Sequence, residues 1–291
     1  MQLPKVIEEL IDDIADTLEQ GKEEVAVETK EKYANLFAEM LEERLKPRPK
    51  EGKGTLRMSN IGKPCDRQIW YDVNQPYEKI EPLKAATKLK FLYGDLTELL
   101  MLYLSEVSGH SVEGTQDVQE IEGIKGHRDA VIDGVLTDVK SASTYGFAKF
   151  ADGTLRNNDS FGYFTQGGSY LYAGKDDDLV KDKNRFAFLA LDKTLGHFCL
   201  DIHHQDETID YEELYRQKKA MVDQPEPPER AFTDVPEGTS GNMKLPTACS
   251  YCSHKWKCWP ELRMFIYSNG PKYLTVVEKE PKVPEAEPEF V

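Results

Sequence analysis

The chain has 291 residues, of which 39% are hydrophobic and 31% charged, and its formal net charge at pH 7 is −15. This composition predicts a globular core with a polar surface. It argues against a membrane protein, because no apolar run approaches the roughly 18 residues of a span. The acidic balance argues against a protein that coats nucleic acid, although the basic stretch at 44–67 leaves local phosphate binding open.

The start of the chain and its cysteines indicate a compartment. Acids occur throughout the first twenty residues, which lack the basic start and apolar run of a secretory signal. We therefore expect an intracellular, cytoplasmic protein with no membrane partner. In a reducing compartment the five cysteines are not expected to form structural disulfides, and clustered cysteines there are more typical of metal binding.

Taken in chain order, hydrophobic periodicity predicts helices at about 4–20 and 24–45, a Pro/Gly/Lys-rich loop at 47–54, and helices near 65–73 and 84–107. From 117 to 142 the period changes towards two, which predicts strands. A helix near 160–174, two strands within 185–203 and a helix near 207–223 follow. This order predicts an α/β fold with a central mixed β-sheet flanked by helices.

The stretch "RDAVIDGVLTDVK" is predicted to be a hairpin that turns at Asp133 and Gly134. In that register Asp129 lies opposite Asp138, where two like charges are destabilising. By strand alternation Lys140 shares the face of Asp138. Two carboxylates forced together on a covered face favour a Mg²⁺ or Mn²⁺ site, with the lysine orienting or deprotonating a bound water. A solvent-facing hairpin whose acids keep it soluble is the alternative.

Two features elsewhere could complete such a site. Glu98 lies inside an otherwise apolar helical stretch. A buried carboxylate there is unfavourable unless it is paired or binds a metal. The alternative is a glutamate at the helix boundary that reaches solvent. Gln166 and Tyr170 are four residues apart on one face of a predicted helix. They could bind phosphate or hold catalytic groups, whereas a core tyrosine is the simpler interpretation. The glycines between them, 167 and 168, allow a close backbone approach.

The cysteines give the strongest pattern in the chain. Cys249, Cys252 and Cys258 are clustered, and Cys65 lies far upstream. Four thiolates can hold either a zinc ion or a [4Fe–4S] cluster. Because His254 lies inside the cluster, a zinc site with three cysteines and one histidine is a further alternative.

Together, Glu98, Asp129, Asp138-Val139-Lys140 and the Gln166/Tyr170 pair resemble the ordered motifs of the PD-(D/E)XK nuclease superfamily, in its RecB-like branch. Gly94 precedes Glu98 as in the first motif, with glutamate in place of the common histidine. Arg128 stands where the proline of the second motif would be. The resemblance spans about 55–260 and implies a restriction-endonuclease-like core.

The cysteine pattern, with the segment "NIGKPCDRQIWYD", is similar to that of iron–sulfur nucleases, namely the CRISPR-associated RecB-like exonucleases and AddB-type subunits. In those proteins the cluster staples the ends of the nuclease domain together. The resemblance thus divides the chain into an N-terminal helical extension (1–46), a nuclease domain closed by the four-cysteine cluster (47–268), and an acidic, Pro-rich tail (269–291) that is too polar to pack and is predicted to be disordered.

The resemblance implies a Mg²⁺- or Mn²⁺-dependent deoxyribonuclease, more specifically an exonuclease acting on single-stranded or duplex ends in recombination, replication or repair, in a phage or a prokaryotic host. Phage recombination or replication and CRISPR adaptation are both open as its context. Glu98, Asp129, Asp138 and the Val139 carbonyl would hold one or two ions, and Lys140 would activate or position water. Predicted DNA contacts are Arg57, Lys63, Arg67, His127 (opposite Lys140 in the hairpin register), Gln166 and Tyr170.

Two other functions stay open at this point. One is a non-catalytic DNA- or protein-binding module stapled by an iron–sulfur or zinc site, and the other is a zinc-stapled interaction protein. The N-terminal helices are either an element for self-association or a protein partner, or an extra layer on the domain. The acidic tail is a second candidate for partner binding.

Overall fold

A computed structural model describes residues 5–47, 51–157 and 159–290, so the predicted helix start at 4 and part of the predicted loop at 47–54 lie outside the described residues. The helices are α1 (Leu10–Gln20), α2 (Val27–Leu45), α3 (Met58–Ile61), α4 (Asp66–Asn74), α5 (Ala85–Val107), α6 (Thr144–Ala151), α7 (Tyr163–Ala173), α8 (Tyr211–Val222), α9 (Thr247–Ser250) and α10 (Lys255–Cys258).

The strands confirm the predicted change of period after 117. They are β1 (Val112–Glu113), β2 (Val118–Ile121), β3 (Ile124–His127), β4 (Ala130–Ile132), β5 (Val135–Ala142), β6 (Arg185–Asp192), β7 (Phe198–His204), β8 (Val235–Pro236), β9 (Met243–Lys244), β10 (Arg263–Tyr267), β11 (Gly270–Val276) and β12 (Glu285–Ala286). None of the helices within the described ranges is long and apolar enough to cross a membrane.

The chain forms two compact units, each assembled from separated segments. The first takes in the described residues up to 47, then Arg57–Gly62 and Ala85–Tyr215. Its sheet has the strand order β1-β4-β5-β6-β7, in which β5 and β6 are parallel and the other neighbours are antiparallel. The predicted α/β fold with a central mixed sheet flanked by helices is therefore confirmed.

The N-terminal helices belong to the core of the first unit. Ile7, Leu10 and Ile14 are buried in the same hydrophobic cluster as Ile132 of β4 and Val139 of β5. Burying apolar side chains against a sheet is the main favourable contribution to folding. In this structure the segment is an additional layer on the sheet, one of the two possibilities that its sequence leaves open.

The second unit takes in 51–56, Lys63–Lys84 and the chain from Arg216 onward. Its sheet has the order β12-β10-β11-β9-β8. The prediction of a disordered tail from 269 onward is wrong for two segments, because β11 pairs with β10 and β9, and β12 pairs with β10. Leu274 in β11 is fully buried. The strand packs through few apolar side chains, and the polar composition of the segment therefore gave no sign of it.

Candidate active site

The hairpin has the predicted turn and register. Asp133 and Gly134 both have positive φ angles, 49° and 82°, as a two-residue hairpin turn of type I′ requires. Ala130 pairs with Thr137, and the rest of the ladder follows to the turn. The Asp133 carboxylate stabilises this turn by accepting a 3.0 Å hydrogen bond from the Ser111 N–H.

Asp129 and Asp138 come together at the open end of this hairpin. Asp138 is only 8% exposed, and the Asp129 Oδ2 accepts a 2.7 Å hydrogen bond from the Val139 N–H, directly after Asp138. Burial raises the pKa of Asp129 well above its usual value, and the charges of Asp138 and Glu98 raise it further. The two acids therefore repel each other, as the register predicts.

Helix α5 brings Glu98 to the same place. Burial raises the pKa of Glu98 to about 7, with the charges of Asp138 and Asp95 adding to the effect. Its Oε1 accepts a 2.6 Å hydrogen bond from the Gln116 side-chain N–H, which opposes the rise in pKa without cancelling it. Glu98 is thus a half-buried member of a carboxylate cluster and lies within the helix, not at its boundary.

Lys140 provides positive charge beside these acids. Its ammonium pairs with the Asp138 carboxylate and lies 4.5 Å from the centroid of the Tyr163 ring. Burial alone would lower the pKa of Lys140, but the carboxylates of Asp138 and Asp129 outweigh burial and raise it. In this arrangement the Lys140 ammonium is a charged partner of the Asp138 carboxylate.

Helix α7 places Gln166 and Tyr170 near the hairpin. Tyr170 is 4% exposed, and its pKa is raised by burial and then by the charges of Asp138 and Asp129, so its hydroxyl keeps its proton. Gln166 hydrogen-bonds Tyr170, which confirms that the pair shares one face of the helix. A small cavity of about 10 Å³ beside Tyr170 is also lined by Asp129 and Asp138.

The glycines of α7 serve the predicted purpose of close approach. A methyl group added at Gly168 would lie 2.0 Å from the Tyr211 hydroxyl oxygen, and one at Gly167 would lie 2.4 Å from the Phe186 ring. Both distances are far below van der Waals contact, so a side chain at either position would push α7 away from its neighbours. The glycines therefore fix the depth at which α7 holds Tyr170.

His127 does not lie opposite Lys140. It pairs with Val118 in the separate two-stranded ladder of β2 and β3, because the hairpin ladder ends at Ala130. Its Nδ1–H donates a 2.9 Å hydrogen bond to the backbone carbonyl of Gln116. His127 thus supports the backbone of Gln116, whose side chain contacts Glu98. A contact of His127 with DNA stays a prediction.

The other predicted DNA contacts are divided between the two units. Arg57 is exposed and belongs to the first unit. In the second unit, Lys63 pairs with Asp72 at 2.8 Å, and Arg67 donates a 2.7 Å hydrogen bond to the Pro228 carbonyl. The structure therefore gives Lys63 and Arg67 partners within their own unit, and their binding of DNA stays a prediction.

Arg128 has a structural role that the sequence did not reveal. This residue is 2% exposed and forms salt bridges with Asp177 at 2.6 Å and Asp117 at 2.7 Å, while its Nε–H donates to the Gly114 carbonyl at 3.1 Å. Because Arg128 immediately precedes Asp129, this anchor fixes the backbone that carries the acid. The only signal in the sequence was the departure from proline at this position.

The second unit gathers the four cysteines of the predicted cluster, all of them as free thiols. Burial raises the pKa of Cys249 to about 11, and the neighbouring sulfurs of Cys258 and Cys65 add to the rise. Cys65 precedes α4 as its N-cap residue. The fold thus brings Cys65 within electrostatic range of the C-terminal cysteines.

Cys252 and His254 complete the surroundings of these sulfurs. Burial raises the pKa of Cys252 to about 12, although the His254 backbone N–H donates to its sulfur and lowers it. The His254 side chain is buried, and its Nε2 lies 2.8 Å from the Asp72 carboxylate. That contact gives the Nε2 of the imidazole a structural partner, which the sequence did not indicate when it suggested a site with three cysteines and one histidine.

Within the ranges 5–47, 51–157 and 159–290, no group of three or more histidine, cysteine, aspartate or glutamate side chains is arranged to hold a metal ion. The donor chemistry of the hairpin site nevertheless fits a divalent cation. Three carboxylates face one ammonium, and the pKa values of Glu98 and Asp129 rise partly because negative charge is in excess. Oxygen donors of this kind suit Mg²⁺ or Mn²⁺.

No protein-family description matches the chain, and no curated protein matches it. The chain is similar to the crystal structure of a phage related exonuclease from Haemophilus somnus 129PT. The two are 15% identical, the match covers 59% of this chain and 91% of that chain, and the TM-score is 0.36.

Proposed function

We propose that this protein is a metal-dependent DNA nuclease. The observation that supports it is the cluster of Glu98, Asp129 and Asp138 around Lys140, in which burial and mutual repulsion raise the pKa values of two acids. Strongly perturbed carboxylates beside a lysine are more typical of active sites than of hairpins that only need to fold. The order of these residues resembles the motif series of PD-(D/E)XK nucleases.

The carboxylates and the Val139 carbonyl would hold one or two Mg²⁺ or Mn²⁺ ions. When bound, these supply electrostatic stabilisation of the charge that develops on a phosphodiester. Lys140 keeps its proton beside Asp138, so it acts as a donor that positions the attacking water or a phosphate oxygen. Tyr170, also protonated, is a second donor, and Gln166 orients its hydroxyl.

The direct test is cleavage of end-labelled linear and circular DNA in Mg²⁺ and in Mn²⁺. We expect Asp138→Ala and Lys140→Ala to lose at least about 100-fold in rate, the scale of a lost electrostatic or proton-positioning contact. Asp16→Ala and Lys30→Ala remove the same charges from exposed helix positions and should cleave like the wild type.

Equal cleavage by all four variants would place the chemistry elsewhere. A wild type that binds DNA without cutting it in either metal would favour the non-catalytic binding module. The finer part of the proposal is exonuclease action at DNA ends, in recombination, replication or repair, and circular DNA tests it. Digestion of linear DNA with circular DNA left intact is expected, whereas cutting of closed circles would identify an endonuclease.

We further propose that Cys65, Cys249, Cys252 and Cys258 bind a [4Fe–4S] cluster. Support comes from the interaction among their sulfurs in one unit of the fold and from the backbone N–H donated to the Cys252 sulfur. Hydrogen bonds to cysteine sulfurs are among the contacts that tune such clusters. Cys65 and the other three come from distant parts of the chain, so a cluster would join those parts covalently through iron.

Anaerobic purification followed by iron, sulfide and zinc analysis tests this assignment. We expect a brown protein with about four irons per chain, loss of iron in Cys258→Ala and a lower melting temperature. Cys199→Ala is the matched control, because Cys199 lies in β7 of the other unit and should keep its iron. A colourless protein with one zinc would establish the zinc alternative.

A further inference from the structure

Phe161, next to the candidate active site, is an aromatic side chain held in solvent. It is 66% exposed, and its ring stacks on Tyr163 with the centroids 5.3 Å apart and the planes inclined by 25°. Tyr163 in turn contacts Phe150 and Phe188, so the inner ring of the stack is anchored in the core. The outer ring leaves apolar surface in water, which is unfavourable for folding alone.

The turn that carries Phe161 is held by hydrogen bonds from its backbone to one carboxylate. The Asp159 carboxylate accepts hydrogen bonds from the backbone N–H groups of Phe161, Gly162 and Phe164 at 3.3, 2.8 and 2.9 Å. Gly162 has a φ of 78°, and a methyl group there would lie 1.9 Å from the Gly62 carbonyl oxygen. These contacts hold the backbone that carries the ring.

The position of the stack distinguishes Phe161 from other exposed aromatic residues such as Tyr145, which is 76% exposed on α6. The Lys140 ammonium lies 4.5 Å from the Tyr163 centroid, so the inner ring contacts both the catalytic lysine and Phe161. The exposed ring is thus separated from Lys140 by one aromatic ring, so a strand whose phosphate lies beside Lys140 would pass near it. An aromatic ring at that distance can stack on a base, and any base offers a π-face.

We propose that Phe161 is the base-stacking residue of the nuclease site and that Phe161 and Tyr163 together select a nucleotide whose base is unpaired. The inference rests on the proposed nuclease function and adds a substrate-positioning residue to it. In a duplex the bases are already stacked on each other, so a stacking residue favours a single strand or a frayed end. Phe161 positions the strand and takes no part in the chemical step.

The test compares cleavage kinetics of wild type, Phe161→Ala, Phe161→Trp and the control Tyr145→Ala on a short single-stranded oligothymidylate. Stacking on one base predicts that Phe161→Ala raises KM about 5- to 150-fold with little change in kcat, the range for one lost aromatic–base contact. Phe161→Trp should restore KM, and Tyr145→Ala should match the wild type. Unchanged melting temperatures would show that the variants fold normally.

A second substrate separates stacking from a general loss of affinity. On an oligonucleotide whose residues lack bases, wild type and Phe161→Ala should have the same KM, and wild type should bind it more weakly than the normal strand. The proposal is overturned if Phe161→Ala keeps the wild-type KM, or if its loss is equally large on the strand without bases. The abasic comparison with wild type alone decides the matter if Phe161→Ala does not fold.

Failure of this proposal and failure of the nuclease proposal give different results. A wild type that cleaves single strands, with a Phe161→Ala variant that is indistinguishable from it, rejects only the stacking role. A wild type that cuts no DNA in Mg²⁺ or Mn²⁺ rejects the nuclease function and, with it, the role of Phe161.

Discussion

The substitution Glu98→Gln isolates the excess negative charge of the candidate site. Glutamine has the shape of the glutamate and can still accept the hydrogen bond from Gln116, but it carries no charge. In the folded protein the pKa of Glu98 is raised to about 7, and in the unfolded chain it returns to its ordinary value near 4.5. The difference corresponds to roughly 3 kcal/mol in the free energy of unfolding.

The direction of the pH dependence follows from the raised pKa. Below about pH 4.5 the carboxyl is protonated in both states, and its contribution to stability is fully present. Between about pH 4.5 and 7 the unfolded chain has released the proton while the folded protein still holds it, so stability falls as the pH rises. Above about pH 7 the contribution is lost. Without added metal, Glu98→Gln should therefore match the wild type within about 1 kcal/mol at pH 5 and exceed its stability by up to about 3 kcal/mol at pH 8.

Urea denaturation at pH 5 and pH 8 measures these differences, in buffers freed of divalent cations by a chelating resin. Glu39→Gln is the matched control, because it removes an equal charge from an exposed position on α2 and should show no such pH dependence. Adding Mn²⁺ should stabilise the wild type more at pH 8 than at pH 5 and should stabilise Glu98→Gln less. A Glu98→Gln variant that is less stable than the wild type to the same extent at both pH values would refute the reasoning.

Three further substitutions test the packing around the site by urea denaturation. Ile14→Ala should cost about 2–5 kcal/mol if the N-terminal layer is part of the core; a loss below about 1 kcal/mol would contradict that. Gly168→Ala should cost about 1–3 kcal/mol of stability through the clash with Tyr211. Gly94→Ala has open space around the added methyl group and should gain up to about 1 kcal/mol. Equal effects of the two substitutions would argue against the clash. Arg128→Met should lower the free energy of unfolding by about 1–3 kcal/mol and slow cleavage. The loss is moderate because the two partner carboxylates keep part of their contact with water. Wild-type stability would show that the anchor is dispensable.

Local patterns predicted the parts of the site that depend on neighbouring residues. The turn at Asp133 and Gly134 sets a register, and the register alone brings Asp129 towards Asp138. Four-residue spacing likewise placed Gln166 and Tyr170 on one face of a helix. In both cases residues that are close in sequence determine the geometry, so a short window of sequence is enough to predict it.

Other features depend on pairings between distant segments, which no short window contains. His127 was misplaced because the hairpin ladder gives way after Ala130 to a separate pairing of β2 with β3. The contact of Gln116 with Glu98 joins a loop to a helix, and neither sequence hints at the other. The strand β11 was missed because its ladders to β10 and β9 outweigh its polar composition.

The interleaving of the two units has a consequence for the order of events during synthesis. Cys65 leaves the ribosome 184 positions before Cys249, and the longest segment of the first unit, Ala85–Tyr215, is made between them. At a rate of about 5–20 residues per second, this interval lasts roughly 10–40 s. During that time Cys65 lacks the three C-terminal cysteines, so the last residue of the first unit is made before any four-cysteine site can form.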